Sequence, residues 1–418
     1  MPLTKLIAAN FKGIRDRQEF DLARLTLFIG PNSSGKSTAI HALAALAQTM
    51  RATNNAKQLV LDDEQALVHL GRFIEIIHTG SYQDEMVLGL SCPAPTTKRK
   101  PPLPVGEFTT EWSFKSSQRT QEVSVTKARI TSTSRTFTVR ERAKGKGTYE
   151  VVEAGTSKKY EATANSGLSF EIKIPALKGD AEFREFIDRF NDFGTTVNAI
   201  RRELQNTLYL GPFRQAPLRR YPTRGSSPTE VGPQGEATVT LLANEATRTQ
   251  MRTCTKQVSK WLGELGLAKS VEVKRVGKSD LFDVNITLVD SEQLPIADLG
   301  YGLSQVLPVL AQCAFSPAGS TLLFEQPELH LHEGAARRLA RVFAQVCTTK
   351  TIVAETHSRQ VVHEVLQLIR EGKIGLSDVA IYDVVRQEKH SKFVRVEITR
   401  DTDGSIDIDH PWGKALEE

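Results

Sequence analysis

The sequence predicts an α/β fold with a mixed sheet, several helices and an inserted β-rich segment. Two short strands open the chain, and the second runs into a glycine-rich loop that is followed by an Ala- and Leu-rich helix over 38–50. Two further apolar strands begin the segments 320–332 and 350–358, end in acidic or polar residues, and are each followed by a helix. Between these halves, 107–175 alternates apolar residues with Thr, Lys and Arg, which is typical of short strands.

Breaks in composition divide this fold into five predicted segments. A Pro- and Lys-rich breaker covers 93–106, and a Pro-, Gly- and Arg-rich connector follows a strand within 207–239. The predicted segments are an N-terminal lobe with the glycine loop (1–90), a basic β-rich insertion (91–178), a helical and connector region (179–270), a C-terminal lobe (271–372) and a small β extension (373–418).

Two predictions within these segments concern packing. Residues 72–78 are predicted as a strand ahead of a second strand at 86–91. Residues 179–206 are predicted as an amphipathic helix, whose apolar face should be buried. Its predicted stripe consists of Phe183, Phe186, Ile187 and Phe190.

Composition and cysteine use narrow the class of protein. The chain is 39% hydrophobic and 25% charged, which excludes disordered and collagen-like proteins. It has no apolar run of about 18 residues, and its first residues carry charges where a signal peptide needs an apolar core. Its 4 cysteines form no CxxC pair, which argues against a zinc site and for a reducing compartment. The sequence therefore predicts a cytoplasmic protein without a membrane partner.

Positive charge is concentrated in one part of the chain. The net charge is +5, but 91–175 alone holds fifteen Lys and Arg against eight Glu, while the remaining residues sum to −2. Lys, Arg and Thr on alternating strand positions can follow a phosphate backbone, and the Arg-rich stretch 214–224 can add to that surface. DNA binding through these two regions is therefore predicted; the alternative is a solvated sheet edge that lysines protect from aggregation.

The glycine loop carries the clearest chemical signal. Residues 30–37, GPNSSGKS, match the pattern G-x4-GK[ST] and lie between a strand and a helix. Its glycines let backbone amides curl around phosphate oxygens, and the helix N-terminus adds positive potential. Lys36 is expected to reach the β- and γ-phosphates of a nucleotide, and Ser37 to offer its hydroxyl to Mg²⁺.

Two later strands end in residues suited to the same chemistry. The apolar strand 321–325 delivers Glu325 to the metal side of the site. In most ATPases with a glycine loop of this kind, a second carboxylate directly follows the first. Here that residue is Gln326, whose amide can orient water without taking its proton. Two outcomes are expected from this: turnover is slow, or Glu328, the nearest replacement, or His357 shares the role of the missing carboxylate. His357, at the end of the other strand, is predicted to bond the γ-phosphate and sense its loss.

A second glycine loop precedes a helix at 297–305, ADLGYGLSQ. Loops of this kind bind anions at helix N-termini, and its place ahead of the acid strand suits a loop that reaches the γ-phosphate held by a second subunit. Gly302 or Ser304 would face that phosphate. The alternative is a helix-start turn with a serine cap.

In this order, the motifs FKGI…LTLFIGPNSSGKST, LGYGLSQVLP, TLLFEQPELHLH and AETHS resemble the ABC-type ATPase heads of the SMC, RecF and OLD (overcoming lysogenization defect) proteins. OLD-like ATPases are the most similar, through EQPELHLH at 325–332, YLGPFRQAPLRRY at 209–221 and VGPQGE at 231–236. The likeness covers 1–90 and 205–418. It implies an ABC-type P-loop NTPase head of a subgroup that is often encoded in prokaryotic anti-phage defence loci.

The resemblance also implies the ligands, ATP and Mg²⁺, and a head-to-tail homodimer in which the loop around Ser304 completes the partner's site. The predicted cofactor-binding residues are Asn32, Ser33, Ser34, Gly35, Lys36, Ser37, Thr38, Gly302 and Ser304. The predicted catalytic residues are Glu325, Gln326, Glu328 and His357, and the predicted metal-side residues are Ser37 and Glu325. Gln83 is the candidate for the glutamine that couples Mg²⁺ to the lobe, with an exposed turn as the alternative.

Three departures from the family pattern shape the functional hypotheses. The signature reads LGYGLSQ, Gln326 replaces the second acid, and nothing resembles a Toprim nuclease domain or a long coiled coil. The leading hypothesis is an ATP-driven sensor or motor head that partners a separate nuclease or toxin in anti-phage defence or DNA processing. The alternatives are a slow or non-hydrolysing dimer switch and a RecF-like DNA repair ATPase, whereas a self-contained nuclease and a transporter head are disfavoured.

Overall fold

The computed structural model describes residues 3–52, 59–94, 106–142, 147–165, 168–176, 179–222, 227–400 and 406–409. The chain divides into two compact units, each assembled from three stretches. The first unit comprises Met1–Leu22, His41–Thr207 and Arg386–Lys392, and the second comprises Ala23–Ile40, Leu208–Val385 and Phe393–Glu418. Among the described residues, every helix is too short or too polar to cross a membrane.

Strands and helices follow one another along the chain as listed here. The strands are β1 (Lys5–Ala9), β2 (Gln18–Asp21), β3 (Leu25–Ile29), β4 (Met86–Pro93), β5 (Glu107–Ser116), β6 (Val123–Thr131), β7 (Thr136–Glu141), β8 (Thr148–Glu153), β9 (Lys159–Asn165), β10 (Ser169–Ile172), β11 (Thr207–Leu210), β12 (Tyr221–Pro222), β13 (Ser270–Arg275), β14 (Leu281–Thr287), β15 (Gln293–Pro295), β16 (Thr321–Glu325), β17 (Thr351–Thr356), β18 (Val379–Gln387), β19 (His390–Arg395), β20 (Glu397–Arg400) and β21 (Ile406–Asp409). The helices are α1 (Ser37–Arg51), α2 (Phe73–Ile76), α3 (Asp180–Gln205), α4 (Thr238–Arg248), α5 (Thr253–Glu264), α6 (Tyr301–Phe315), α7 (Glu333–Val346) and α8 (Arg359–Arg370).

The first unit is built on a nine-stranded antiparallel sheet in the order β10-β9-β8-β7-β6-β5-β4-β1-β2. Alternate residues of β5 are buried, so Phe108, Trp112 and Phe114 line the inner face. The basic β-rich part, predicted as an insertion from residue 91, continues the sheet of β1, β2 and β4 through the pairing of β4 with β5. The predicted five-segment division remains a prediction about domain boundaries.

Residues 72–78, predicted as a strand, instead contain the short helix α2. The reason is local: the Glu75 side chain accepts from the backbone amide of Arg72 at 2.9 Å and from its guanidinium at 2.7 Å, which stabilises the first turn. Apolar content alone did not separate a buried strand from a buried helical turn.

Helix α3 was predicted correctly, but its buried face was not. Phe186, Phe190 and Phe193 are buried, whereas Phe183 and Ile187 are each 46% exposed. Phe190 and Phe193 pack on Phe137 of β7, with ring centroids 5.6 and 5.4 Å apart. At about 100° per residue, a face that includes Phe193 turns away from Phe183.

The second unit contains a six-stranded sheet in the order β11-β16-β17-β3-β18-β19. Its central strands β16, β17, β3 and β18 are parallel. All residues of β3, β16 and β17 are buried, as the unbroken apolar runs of the sequence indicate. Because parallel strands end at one edge of a sheet, the residues that follow β3, β16 and β17 lie together there.

Candidate functional site

The glycine loop, residues 30–37, joins β3 to α1 and lies at the edge of the second unit's sheet where β3 ends. Gly30 and Gly35 have φ values of 155° and 97°, which side chains rarely permit. A Cβ on Gly30 would lie 2.3 Å from the carbonyl oxygen of Val384 in β18. Both glycines are therefore required by the loop's path. Of the other predicted contacts here, Asn32 and Ser33 are exposed, whereas Ser34 and Thr38 are buried.

Lys36 lies beneath this loop and is only 4% exposed. Its Nζ donates to the carbonyl oxygen of Pro31 at 2.7 Å. Burial lowers the pKa of Lys36, while Glu355 and Glu328 act in the opposite direction. An ammonium held against a neutral carbonyl is poorly compensated, so a phosphate oxygen would be a better partner.

Two carboxylates meet beside the loop, on adjacent strands. Glu325 ends β16 and Glu355 lies opposite it on β17. Ser37 Oγ donates to Glu355 Oε2 at 2.6 Å, and Tyr209 Oη donates to Glu325 Oε1 at 2.7 Å. Burial and then the charge of Glu325 raise the pKa of Glu355 to about 7, against the hydrogen bond from Ser37. The two carboxylates repel each other, and a cation bound between them would reduce this repulsion.

Gln326 and His357 form a second contact at the same edge. Gln326 has a φ of 46°, in the left-handed region, and its backbone amide donates to the carbonyl oxygen of Glu355 at 3.1 Å. Its Nε2 lies 2.9 Å from His357 Nε2, while His357 Nδ1 lies 3.2 Å from the carbonyl oxygen of Gly30. A carbonyl can only accept, so Nδ1 carries the proton and Nε2 accepts from the glutamine.

His357 is therefore a neutral imidazole that joins the glycine loop to the turn after β16. Burial, and next the charge of Lys36, lower the pKa of His357. Protonation of Nε2 would place two donors against each other at Gln326. With Gln326 in this orientation the contact requires the neutral imidazole, and a protonated imidazole would require the amide to flip so that its oxygen accepts.

Glu328 completes the acid turn, residues 325–328. Its Oε1 accepts from Thr356 Oγ1 at 2.6 Å and from the backbone amide of His357 at 3.0 Å. Its Oε2 is buried and has no hydrogen-bond partner within the described parts of the chain. A buried carboxylate oxygen without a donor is costly, which points to a donor that arrives with a ligand.

A protein family described as "AAA domain, putative AbiEii toxin, Type IV TA system" matches residues 25–362 of this chain. The chain belongs to this family. The match includes the glycine loop, the acid turn and His357, so this chain is an AAA/ABC-type ATPase head. The predicted fold class, an α/β P-loop ATPase head of ABC type with an inserted β-rich basic segment and a helical lobe, is confirmed.

Solved structures of SMC heads are similar to this AAA domain in fold. The SMC head domain from Thermotoga maritima has a TM-score of 0.42 and 11% identity, covering 95% of this chain and 100% of that chain. An SMC head bound to the C-terminal winged-helix domain of ScpA has a TM-score of 0.48 and 14% identity, covering 94% and 97%. An SMC head with an extended coiled coil, bound to the C-terminal domain of ScpA from Pyrococcus furiosus, has a TM-score of 0.46 and 11% identity, covering 94% and 96%. No curated protein matches the sequence.

ATPases of this kind use a nucleotide and typically a divalent metal, and the residues beside the loop of this AAA domain fit Mg²⁺. Ser37, Glu325 and Glu355 offer a hydroxyl and two carboxylates, all hard oxygen donors. Within the described ranges, no group of three His, Cys, Asp or Glu side chains could hold a metal by itself. That arrangement suits Mg²⁺, which binds one or two carboxylates together with substrate phosphates.

The raised pKa of Glu355 predicts how stability depends on pH without nucleotide and metal. Between its ordinary value of 4.5 and about 7, the folded protein holds a proton that the unfolded chain has released. The free energy of unfolding therefore falls as pH rises through this window. In EDTA, we expect a melting temperature about 2 to 3 °C lower at pH 8 than at pH 6.

Glu355→Gln should remove most of this difference and raise the melting temperature at pH 8. Glu292→Gln, at an exposed turn of the same unit, is the matched control and should leave the pH profile unchanged. Equal pH profiles for wild type and Glu355→Gln would show that another group carries the dependence.

The signature loop, residues 299–305, begins α6 and packs on the segment that follows the acid turn. A Cβ on Gly302 would lie 2.6 Å from the carbonyl oxygen of His330. Ser304 is 6% exposed and its hydroxyl donates to the carbonyl oxygen of Tyr301 at 2.9 Å. Tyr301 is 61% exposed at the start of the helix. Nucleotide binding by Gly302 and Ser304 stays a prediction, as does the role of Gln83, which lies in an exposed turn of the first unit.

Three residues that sequence reasoning did not assign belong to this site. Glu355 could have been found, since two adjacent strands both place a glutamate at their ends. Tyr209 lies in a segment that the sequence marked only as a family likeness, and Arg214 was assigned to the predicted DNA surface. Burial, and next the charge of Glu325, raise the pKa of Tyr209, so its hydroxyl remains a donor to Glu325.

Part of the predicted DNA surface is corrected by the structure. Arg214 is 8% exposed and donates to backbone carbonyls at the acid turn, so it cannot bind DNA. Arg219 pairs with Asp298 at 2.6 Å, and Arg220 with Asp283 at 3.7 Å. Arg214, Arg219 and Arg220 therefore all make contacts inside the second unit. Residues 223–226 lie outside the described residues.

Proposed function

We propose that this chain binds Mg-ATP, hydrolyses it slowly, and acts as an OLD-like ATP-dependent dimeric head. The observation that carries the proposal is the hydrogen-bonded cluster at one sheet edge. It joins the glycine loop to the acid turn and to His357 through side chains that have few other partners. Lys36 and Ser37 bind and orient the phosphates, and Glu325 and Glu355 hold the metal side.

The hydrolytic step depends on Glu328, Gln326 and His357. We infer that the attacking water donates to the buried Oε2 of Glu328, which takes its proton, while the amide of Gln326 orients the water. His357 holds Gln326 in place and lies beside Gly30, so it can respond to loss of the γ-phosphate. When bound, Mg²⁺ would stabilise negative charge on the β- and γ-phosphates.

Closing the site requires a second surface, because one glycine loop leaves the γ-phosphate open to water. A second copy of this chain, presenting its signature loop, would exclude that water and complete the site. Each chain would thus supply Gly302 and Ser304 to its partner's nucleotide.

Light scattering and phosphate release, each with and without Mg-ATP, test the proposal. We expect ATP to convert monomers to dimers, or to tighten a dimer, and phosphate release above the Lys36→Ala background. Only monomers with ATP and release at that background would overturn it. Tightening with no release would instead favour the non-hydrolysing switch.

The biological role we propose is that of a sensor or regulator for a separate effector, a nuclease or toxin, in anti-phage defence. The family description names a putative toxin of a type IV toxin–antitoxin system, which supports a role in a toxin-based system. The alternative is a RecF-like ATPase in DNA repair. Recovery of a nuclease or toxin partner from the native host in an ATP-dependent manner favours the first role, and recovery of DNA repair proteins favours the second.

One observation favours DNA as a further partner. Of the basic residues in 91–175, many are neutralised by glutamates, namely Lys115, Arg135, Arg142, Lys158, Lys159 and Lys173. Lys127, Arg129 and Arg140 are exposed and carry no ion pair within the described residues. Lys127 on β6 lies directly opposite Arg140 on β7. Like charges in that position destabilise a sheet. Glu150 opposite Arg140 and Glu111 opposite Arg129 balance part of this charge, and an anionic ligand would balance the rest.

Replacing this basic cluster, Lys127, Arg129 and Arg140, by glutamine should weaken binding of duplex DNA roughly tenfold or more and reduce its salt dependence. The matched control replaces the ion-paired Arg142, Lys158 and Lys159 by glutamine, which should change binding much less. Filter binding or fluorescence anisotropy over a range of salt concentrations measures both. Equal binding by the two triple variants would contradict a role for the cluster.

A further inference from the structure

Arg214 makes an unusual set of contacts for a buried arginine. Its Nη2 donates to the carbonyl oxygens of Glu325 at 2.9 Å and Gln326 at 3.0 Å. Its Nη1 donates to the carbonyl oxygen of Gln305 at 3.2 Å. All three acceptors are backbone groups, so the guanidinium serves as a rigid fork between chain segments rather than as half of an ion pair.

The segments that Arg214 joins belong to different parts of the proposed nucleotide sites. Gln305 lies in the first turns of α6, directly after Ser304 in the signature loop. Glu325 and Gln326 form the start of the acid turn of the chain's own site. In the proposed head-to-tail dimer, α6 would meet the partner's nucleotide, whereas the acid turn would meet the chain's own.

The connector, residues 209–222 and 227–236, holds Arg214 in place. Its two halves are joined by backbone hydrogen bonds from Gly211 to Pro233 at 2.8 Å and from Gln215 to Gln234 at 2.9 Å. Arg214 lies between these two bonds. Its side chain therefore starts from a fixed backbone position.

The same connector also contacts α6 over successive turns of the helix. A Cβ on Gly235 (φ 72°) would lie 2.7 Å from Pro308 Cβ, so the two segments are in close contact. The backbone amide of Val231 donates to Gln312 Oε1 at 3.0 Å. With Arg214 on the carbonyl of Gln305, the connector follows one face of the helix, and a displacement of α6 would move both.

We propose that Arg214 is a positioning residue that couples the two nucleotide sites of the dimer. This proposal rests on the proposed ATP-dependent dimer. When the signature loop engages the partner's γ-phosphate, a shift of α6 is passed through Arg214 to the backbone of Glu325 and Gln326. Gln326, which is in a left-handed conformation, then orients water in the chain's own site.

Arg214→Lys tests this coupling, because one ammonium keeps the charge but cannot reproduce the fork to three carbonyls. Arg220→Lys, an exposed change in the same connector, is the matched control. We expect wild type to release phosphate cooperatively in ATP, with a Hill coefficient of roughly 1.5 to 2. Arg214→Lys should lower it to about 1 and slow release at least about tenfold, with binding of a fluorescent ATP analogue within about threefold of wild type. Wild-type cooperativity and rate in Arg214→Lys would overturn the proposal.

Hydrogen exchange on the nucleotide-free protein decides the physical link even if wild type neither dimerises nor releases phosphate. In that case the proposed function fails, while exchange still reports on Arg214. We expect Arg214→Lys to speed exchange both in 299–312 and in 325–332. Faster exchange confined to 209–221 would overturn the link. If Arg214→Lys melts below the assay temperature, Gln312→Met replaces it, because this change removes the acceptor for the amide of Val231. Gln312→Met should speed hydrogen exchange in both 299–312 and 325–332. Faster exchange in only one of the two segments would count against the link.

Discussion

Replacing Lys36 by methionine lowers the affinity for ATP by at least about 100-fold and reduces phosphate release to background. Methionine keeps much of the buried stem but removes the charge that would bond the β- and γ-phosphates. The same change leaves the melting temperature of the nucleotide-free protein unchanged or slightly higher. Burial lowers the pKa of this lysine, so its charge is a cost to the folded protein until a phosphate arrives.

The measurements are titration with a fluorescent ATP analogue, phosphate release, and thermal melting with and without Mg-ATP. In wild type, Mg-ATP should raise the melting temperature, and in Lys36→Met it should not. Lys278→Met, in an exposed turn of the same unit, is the control and should behave as wild type. A Lys36→Met protein that binds ATP normally would place the nucleotide elsewhere.

Glu328→Gln abolishes most phosphate release, by about 100- to 1000-fold, while ATP binding remains within a few-fold of wild type. The amide oxygen of glutamine can still accept from Thr356 and from the amide of His357, so the local structure is kept. The buried Oε2, however, becomes an amide nitrogen that cannot take a proton from water. ATP should therefore hold the dimer closed for longer than in wild type.

Single-turnover phosphate release and light scattering during an ATP chase measure the two effects separately. Glu333→Gln, an exposed change at the start of α7, is the control. If Glu328→Gln releases phosphate at the wild-type rate, the proton is taken by another group, and Glu355 is the nearest buried carboxylate to examine. If Glu328→Gln also loses ATP binding, its role is to support the loop rather than to act as base.

The parts of the fold that sequence predicted best are those with local signals. The glycine loop is specified by its own residues, and the apolar runs of β3, β16 and β17 predict strands buried on both faces. β16 and β17 follow one another in the chain and pair in parallel, whereas β3 is assigned beside them by the order of the motifs. Lys36, Ser37, Glu325 and His357 could therefore be assigned to one site before any coordinates were known.

What sequence did not predict depends on contacts between distant segments. Arg214 lies in an Arg-rich stretch, and composition favoured a DNA surface, whereas its position between α6 and the acid turn requires knowledge of how the connector packs. Tyr209 has an ordinary strand context, and only the pairing of β11 with β16 brings its hydroxyl to Glu325. The apolar stripe of α3 was displaced for the same reason, since its partner Phe137 lies on a separate strand.

The position of β3 in its sheet has a consequence for how the protein is made. β3 pairs with β17 on one side and with β18 on the other, where Leu25 lies opposite Val379. β3 can therefore complete its pairing only after these two strands, far along the chain, have been synthesised. Such long-range pairing is slow to form, and until it does, an apolar strand edge is exposed on the nascent chain. The glycine loop closes only when β18 arrives, because Gly30 packs against the backbone of Val384. Synthesis must therefore reach β18 before the nucleotide site is assembled, which makes ATP binding depend on a strand far along the chain from the glycine loop.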